Sequence, residues 1–150
     1  MTEIITTVII MASSVLLFGY WFRYTCLLIL SARTSRDYAS SVAMANQLGF
    51  LEVQNMLRDN GADLDRLKSL LDRDYKVLTY LLKNSANPSK GEDAIEKRML
   101  EINYKLMHAW FSAVRRISPT AAMQALNEMS EVVAHFANSM GERATAGAAA

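Results

Sequence analysis

The feature that most constrains this chain is a run of 19 residues without a charge near its N-terminus, from Ile4 to Phe22 (IITTVIIMASSVLLFGYWF). As an α-helix rising about 1.5 Å per residue, the run would extend roughly 28 Å, close to the hydrocarbon thickness of a bilayer. Its hydroxyl side chains are compatible with such a helix, because each can donate a hydrogen bond to a carbonyl one turn earlier. These are Thr6, Thr7, Ser13 and Ser14. The sequence therefore predicts a single transmembrane helix.

Two extents of this helix are compatible with the residues that follow, because Arg23 is succeeded by the apolar stretch TCLLILSA. Either the span covers 4–22 and a short interfacial turn of helix follows, or one long tilted helix covers 4–32 with Arg23 facing a partner. We favour the first, because an arginine left in hydrocarbon costs about 3 kcal/mol or more. Aromatic and cationic side chains are typical of membrane interfaces. The predicted interface residues are Tyr20, Trp21, Arg23, Tyr24, Arg33 and Arg36.

Charge on either side of the run predicts its orientation. Arg23, Arg33 and Arg36 lie C-terminal to it, whereas the N-terminal flank carries only Glu3 and the α-amine. The positive-inside rule then places the C-terminal domain in the cytoplasm, as in a single-pass protein of a bacterial inner membrane. A cleaved signal peptide is disfavoured by the missing basic n-region, the long apolar run and the absence of an A-x-A pattern. Cys26 is expected to be a small apolar residue near the boundary rather than an acylation site.

Outside residues 4–32 the composition is that of a soluble domain. Of 31 charged residues only Arg23 falls inside 4–32, so 31 − 1 = 30 charges are distributed over the other 150 − 29 = 121 positions. A single cysteine excludes a disulfide framework and a multi-cysteine zinc site, and a net charge of +1 does not favour nucleic acid as a partner. We predict a membrane anchor with an interfacial extension (1–32), a cytoplasmic helical bundle (33–141) and a flexible alanine-rich tail (142–150).

The segment 38–51 (YASSVAMANQLGFL) is uncharged although it lies outside the predicted span. An exposed helix would carry charges, so this one is expected to be covered by other helices or by another protein. Its small residues are spaced four apart, which permits close helix approach. The predicted partner contacts are Ala39, Ala43, Ala45 and Gly49. Asn60 and Gly61 are typical of the end of such an element.

Three further helices complete a predicted all-α fold, a transmembrane helix followed by a bundle of three to four helices, with no β pattern. Residues 62–83 carry leucines at helical spacing opposite a charged face with pairs such as Asp72 to Lys76. Residues 92–117 carry two neighbouring apolar stripes, a face wide enough to pack against at least two neighbours. Ser118 and Pro119 are typical of a helix start, and the last helix is expected to run to Met140 and end at Gly141.

One group of ionisable residues deserves a test as a metal site. The weak candidate ligands are Glu101, His108, Glu131 and His135. The di-iron helical bundles use Glu-x-x-His, and neither histidine here has a glutamate three residues before it. A solvated polar face, with an i, i+4 pair between Glu131 and His135, is therefore the preferred interpretation, and we predict no metal and no cofactor.

No nucleophile elbow, glycine-rich phosphate loop or haem attachment motif is present in the sequence, so we predict a protein that is not an enzyme. The leading hypothesis is an accessory or assembly (scaffold) subunit of a larger membrane-associated complex, which binds protein partners or a second copy through the 38–51 helix. A membrane-anchored signalling or adaptor module is the alternative. An apolar N-terminal helix that runs into an amphipathic one also resembles a pilin in outline, over roughly the first third of the chain, which would imply a filament subunit.

Overall fold

The computed structural model describes residues 1–32, 37–59, 63–85 and 91–149. Within those ranges the chain is helical and contains no strand, which confirms the predicted all-α class. It divides into two compact units, Met1–Arg33 and Thr34–Ala150. The helices are α1 (Thr2–Ser31), α2 (Ala39–Asn46), α3 (Phe50–Met56), α4 (Leu64–Lys83), α5 (Glu92–Val114) and α6 (Pro119–Ala148).

The first unit consists of α1, a single helix of 30 residues. It continues through Arg23 without interruption, so the backbone follows the second predicted extent, one long helix, and not the favoured first one. No glycine or proline follows Gly19 in this helix, and a snorkelling arginine does not require the backbone to bend. α1 ends at Ser31, since Ala32 adopts an extended conformation, and residues 33–36 lie outside the described residues.

The second unit is organised around α6, which packs against α2, α3, α4 and α5. Its start was predicted: the Ser118 hydroxyl accepts a hydrogen bond from the Ala121 backbone N–H at 3.3 Å, and Pro119 occupies the first turn. Alanines at 122, 125 and 137 are buried, which lets neighbouring helices approach closely. Because one helix contacts four others, its buried residues do not form a single stripe.

The end of α6 differs from the prediction, because the helix passes through Gly141 and ends at Ala148. Residues 142–148 are therefore helical, whereas the sequence predicted a flexible tail over 142–150. Gly141 is buried beneath Tyr38, and a Cβ added there would lie 2.8 Å from the Tyr38 Cγ. The Tyr38 backbone N–H also donates to the Asn138 Oδ1 at 2.8 Å. The glycine thus provides room for a neighbouring chain segment rather than a helix stop.

The uncharged segment forms two short helices, α2 and α3, instead of one. Gln47 adopts φ 53°, ψ 44°, in the left-handed region, and ends α2. The Leu48 N–H donates to the Ala43 carbonyl at 2.9 Å, which closes this turn. The predicted end of the element at Asn60 and Gly61 lies outside the described residues.

The leucine stripe of α4 is confirmed, since Leu67, Leu71, Leu78 and Leu82 are all buried. The helix starts at an N-cap that sequence analysis did not identify: the Asp63 carboxylate accepts hydrogen bonds from the next turn, at 3.1 Å from the Asp65 N–H. Between α4 and α5, residues 86–90 lie outside the described residues. α5 ends at Val114, three residues before the predicted Ile117.

Candidate functional site: membrane anchor and exposed faces of the bundle

The α1 helix is long and apolar enough to span a membrane. At about 1.5 Å per residue its 30 residues extend roughly 45 Å, more than the hydrocarbon core alone. None of its most apolar window of 18 residues is buried, which distinguishes α1 from the core helix of a soluble protein. In water so much exposed apolar surface would be strongly unfavourable, whereas lipid tails solvate it.

Three of the four predicted hydroxyl donors of α1 hydrogen-bond within the helix, which confirms the prediction for Thr6, Thr7 and Ser13. Thr6 Oγ1 donates to the Thr2 carbonyl at 2.9 Å, and Thr7 Oγ1 donates to the Glu3 carbonyl at 2.8 Å. Ser13 Oγ reaches a carbonyl three residues back at 2.9 Å. These three side chains therefore satisfy their own donors and do not require water.

The predicted interface residues that are described lie on the C-terminal half of α1. Tyr20, Trp21 and Tyr24 are more than half exposed, and Arg23 is half-buried. The Tyr20 and Tyr24 rings stack with centroids 6.4 Å apart, one helical turn from each other. Arg33 and Arg36 lie outside the described residues. The location of all six predicted interface residues at a membrane surface stays a prediction. Cys26 is fully buried, and its role near the membrane boundary stays a prediction.

The small residues of the 38–51 segment divide between the core and the surface. Ala39 and Ala43 are buried in α2, which packs against α6, and Gly49 is buried against Leu70, Arg73 and Asp74 of α4. The sequence analysis allowed the 38–51 segment to be covered either by other helices of this chain or by another protein. For these three residues the cover comes from helices of this chain, so they are not contacts with a partner. Ala45 is exposed, and its neighbour Met44 is 75% exposed. Only the outer side of α2 is available to another molecule.

A buried acid that sequence analysis did not single out holds the turn between α2 and α3. Asp74 is fully buried, and its Oδ2 accepts a hydrogen bond from the Gly49 N–H at 2.6 Å. Its Oδ1 accepts from the Arg73 Nε at 3.2 Å, and the Arg73 Nη2 also donates to the Gln47 carbonyl at 3.1 Å. A buried carboxylate is tolerated only when it is paired and hydrogen-bonded in this way. Its signal in the sequence is an acid at a core position between Leu71 and Leu78.

A second cluster links α4 to α5 through Asp72. Its Oδ1 accepts from the Tyr104 hydroxyl at 2.8 Å, and its Oδ2 lies 3.1 Å from the Lys68 Nζ and 3.3 Å from the His108 Nε2. The salt bridge inside α4 is thus with Lys68, four residues before Asp72, and not with Lys76 as predicted. Burial acts to raise the pKa of Asp72, but the hydrogen bonds from Tyr104 and Lys68 outweigh it and lower that pKa.

Tyr104 and Tyr75 form the apolar side of the same cluster. Their rings are nearly parallel, 3° apart, with centroids separated by 3.9 Å. Burial raises the pKa of both hydroxyls, to about 12 for Tyr75, to which the charge of Glu101 also contributes. The hydrogen bond to Asp72 raises the pKa of Tyr104 further. Both tyrosines are therefore neutral at physiological pH and act in packing and hydrogen bonding.

The four weak metal candidates do not form a site among the described residues. His108 contacts Asp72, Glu101 lies 3.8 Å from the Lys97 Nζ, and Glu131 accepts a hydrogen bond from Asn127 at 3.0 Å. Burial lowers the pKa of His135 and raises that of Glu131. The described part of the chain contains no group of three or more His, Cys, Asp or Glu side chains that could hold a metal ion.

The two apolar stripes of α5 have different environments. The stripe that packs against the rest of the bundle is buried and comprises Leu100, Tyr104, Met107, Phe111 and Val114. The other predicted stripe is mostly exposed: Met99 is half-buried, and the exposed members are Ile95, Ile102, Leu106, Ala109 and Ala113. Trp110 and, just beyond the helix, Ile117 lie on the same side, and the five large side chains there are between 45% and 84% exposed: Ile95, Ile102, Leu106, Trp110 and Ile117. The prediction that both stripes pack against neighbouring helices is therefore wrong for the second. We call these five residues the exposed α5 stripe.

No protein-family model, curated protein or solved structure matches this chain significantly. Similarity thus indicates neither a family nor an activity. The physical basis for a function is the set of surfaces described above: the apolar helix α1, the uncharged outer side of α2 and the exposed α5 stripe.

Proposed function

We propose that this protein is a single-pass membrane protein whose helical bundle is a non-enzymatic accessory or assembly subunit of a larger membrane-associated complex. The observation that carries the proposal is the division of apolar surface. The bundle buries a core of its own around α6, while α1 exposes isoleucine, leucine, valine and phenylalanine along its length. Such a chain needs lipid around one unit and water around the other.

The arginines that follow the apolar run support an orientation with the bundle in the cytoplasm, since Arg23, Arg33 and Arg36 all lie on that side. A bacterial inner membrane fits this arrangement, because the rule describes single spans inserted there.

The outer side of α2 supports contact with a protein partner or a second copy. No charged side chain occurs between Asp37 and Glu52, so the exposed positions of α2 are uncharged as well. Met44 and Ala45 lie among them. A flexible methionine beside small residues is typical of surfaces that other helices pack against. The rival adaptor role favours a charged linker after the span, and the segment at that place is uncharged.

Two alanine substitutions separate partner binding from folding. Ala45→Glu adds a charge to the exposed side of α2 and should leave the stability of the bundle nearly unchanged, within about 0.5 kcal/mol. Ala43 is 3% exposed, so Ala43→Glu buries an unpaired carboxylate and should unfold or strongly destabilise the bundle. Ala94→Glu, at an exposed position in the first turn of α5, is a matched control away from α2.

The measurement is purification of the tagged full chain from gently solubilised membranes, followed by native mass spectrometry. We expect a stoichiometric protein partner or a homo-oligomer with the wild type and Ala94→Glu, and its loss with Ala45→Glu. A monomer from the wild-type membranes would refute the subunit proposal. Extraction of the protein from membranes by alkaline carbonate would refute the anchor.

A further inference from the structure

The exposed α5 stripe has a cationic edge. Arg98, Lys105 and Arg116 are exposed. At 100° per residue Arg98 and Lys105 lie along one side of the stripe, within about 60° of Ile102, and Arg116 lies in the turn that follows α5. None of the three takes part in an ion pair with another residue in the described ranges. Three of the acids of α5, Glu92, Asp93 and Glu96, are near its N-terminal end. The fourth, Glu101, lies about one helical turn from both Arg98 and Lys105, and its Oε1 is 3.8 Å from the Lys97 Nζ, so the edge keeps a net positive charge.

We propose that the exposed α5 stripe docks on the anionic surface of the bilayer in which α1 is anchored. The stripe carries isoleucine, leucine and tryptophan, and its edge carries arginine and lysine. This combination is typical of helices that lie in the plane of a membrane interface, with the apolar side chains in the acyl boundary and the cations at lipid phosphates. The proposal rests on the membrane anchoring proposed above.

The chain length supports lipid as the occupant. Only residues 32–38 separate the end of α1 from the start of α2, and seven residues extend at most about 25 Å. A bundle tethered by so short a segment meets lipid at a high effective concentration, so weak contacts suffice. Trp110 lies in the stripe, and tryptophan is enriched at membrane interfaces. Contact with lipid would remove from water the largest exposed apolar side chains of α5.

The test uses the full chain in vesicles and the fluorescence of Trp110. The chain has two tryptophans, so Trp21→Phe leaves Trp110 as the only one. This variant is reconstituted with phosphatidylcholine alone, or with three parts phosphatidylcholine to one part phosphatidylglycerol. In each case the acyl chains carry bromine near the headgroup as a quencher. Retention after carbonate washing is checked first, since loss at that step refutes the anchor and not the docking.

We expect Trp110 emission to shift to shorter wavelength and to be quenched severalfold more in vesicles that contain phosphatidylglycerol. High salt should reverse this difference, because it screens the cations. The triple change Arg98→Gln, Lys105→Gln and Arg116→Gln should abolish it. The control triple Arg58→Gln, Arg66→Gln and Lys76→Gln removes the same charge from exposed positions on other elements and should retain it.

Two results would overturn the proposal. One is quenching of Trp110 in retained protein that is equally weak in both vesicle types. The other is a blue shift without quenching, together with a disulfide cross-link between chains that carry Cys26→Ala and Ile102→Cys, which would show that a second copy covers the stripe. Circular dichroism of both triple variants should match the parent, because all six side chains are exposed.

Discussion

Gly141→Ala is expected to destabilise the bundle although alanine is the better helix former. Gly141 lies inside α6, where replacing glycine with alanine usually gains about 1 kcal/mol. Here the added Cβ would lie 2.8 Å from the Tyr38 Cγ and closer still to its Cβ. The Tyr38 Cβ is attached to the backbone, so it cannot rotate away, and the start of α2 must shift. Overpacking of this kind costs about 1–3 kcal/mol, so after the helix-propensity gain the net loss should be up to about 2 kcal/mol.

Gly147→Ala is a matched control in the same helix. A Cβ at Gly147 meets nothing within 4 Å, so the change should leave stability unchanged or raise it by up to about 1 kcal/mol. The measurement is urea unfolding of the full chain in mild detergent, followed by circular dichroism, which gives the free energy of unfolding for each variant. If Gly141→Ala proved as stable as Gly147→Ala, the close packing of α6 beneath Tyr38 would be refuted.

The buried carboxylates lead to two further predictions. Asp74→Ala removes the acceptor of the Gly49 N–H and should lower the free energy of unfolding by about 1–3 kcal/mol. Asp74→Asn keeps an acceptor, so its free energy of unfolding should fall by less. Urea titrations measure both variants, and equal losses would contradict this prediction. Tyr104→Phe removes a hydrogen bond that lowers the pKa of Asp72 from its ordinary 3.8, so its cost should be present at pH 7 and shrink as pH falls through the lowered value. A cost that is the same at pH 7 and about pH 3 would exclude Asp72 as the partner.

The fold class could be predicted because its signals are local. The apolar run of α1, the leucine spacing of α4 and the Ser118–Pro119 start of α6 each depend on residues within a few turns of one another. The spacing of apolar residues and the chemistry of the capping residues indicate a helix whatever that helix packs against in the fold. At the end of α6, where the predicted boundary was wrong, a distant residue decides.

Gly141 shows the difference, because a glycine after an apolar stripe is typical of a helix end, and only the position of Tyr38 makes it a point of close packing. Asp74 likewise reads as one more charge on α4 until the turn at Gly49 is placed above it. The predicted partner surface on the 38–51 segment also changed. Ala39 and Ala43 are buried where α2 packs against α6, so only the outer side of α2 is exposed.

The sequence by itself determined that the chain is helical, that one helix is long and apolar enough to cross a membrane, and that the rest has the composition of a water-soluble bundle. Those properties follow from periodicity and composition, which neighbouring residues establish together. Only the tertiary structure decided which of the two apolar stripes of α5 enters the core and which remains exposed beside Arg98, Lys105 and Arg116. The physical reason is that both stripes have the same helical period, and the packing of α5 against α6 selects one of them.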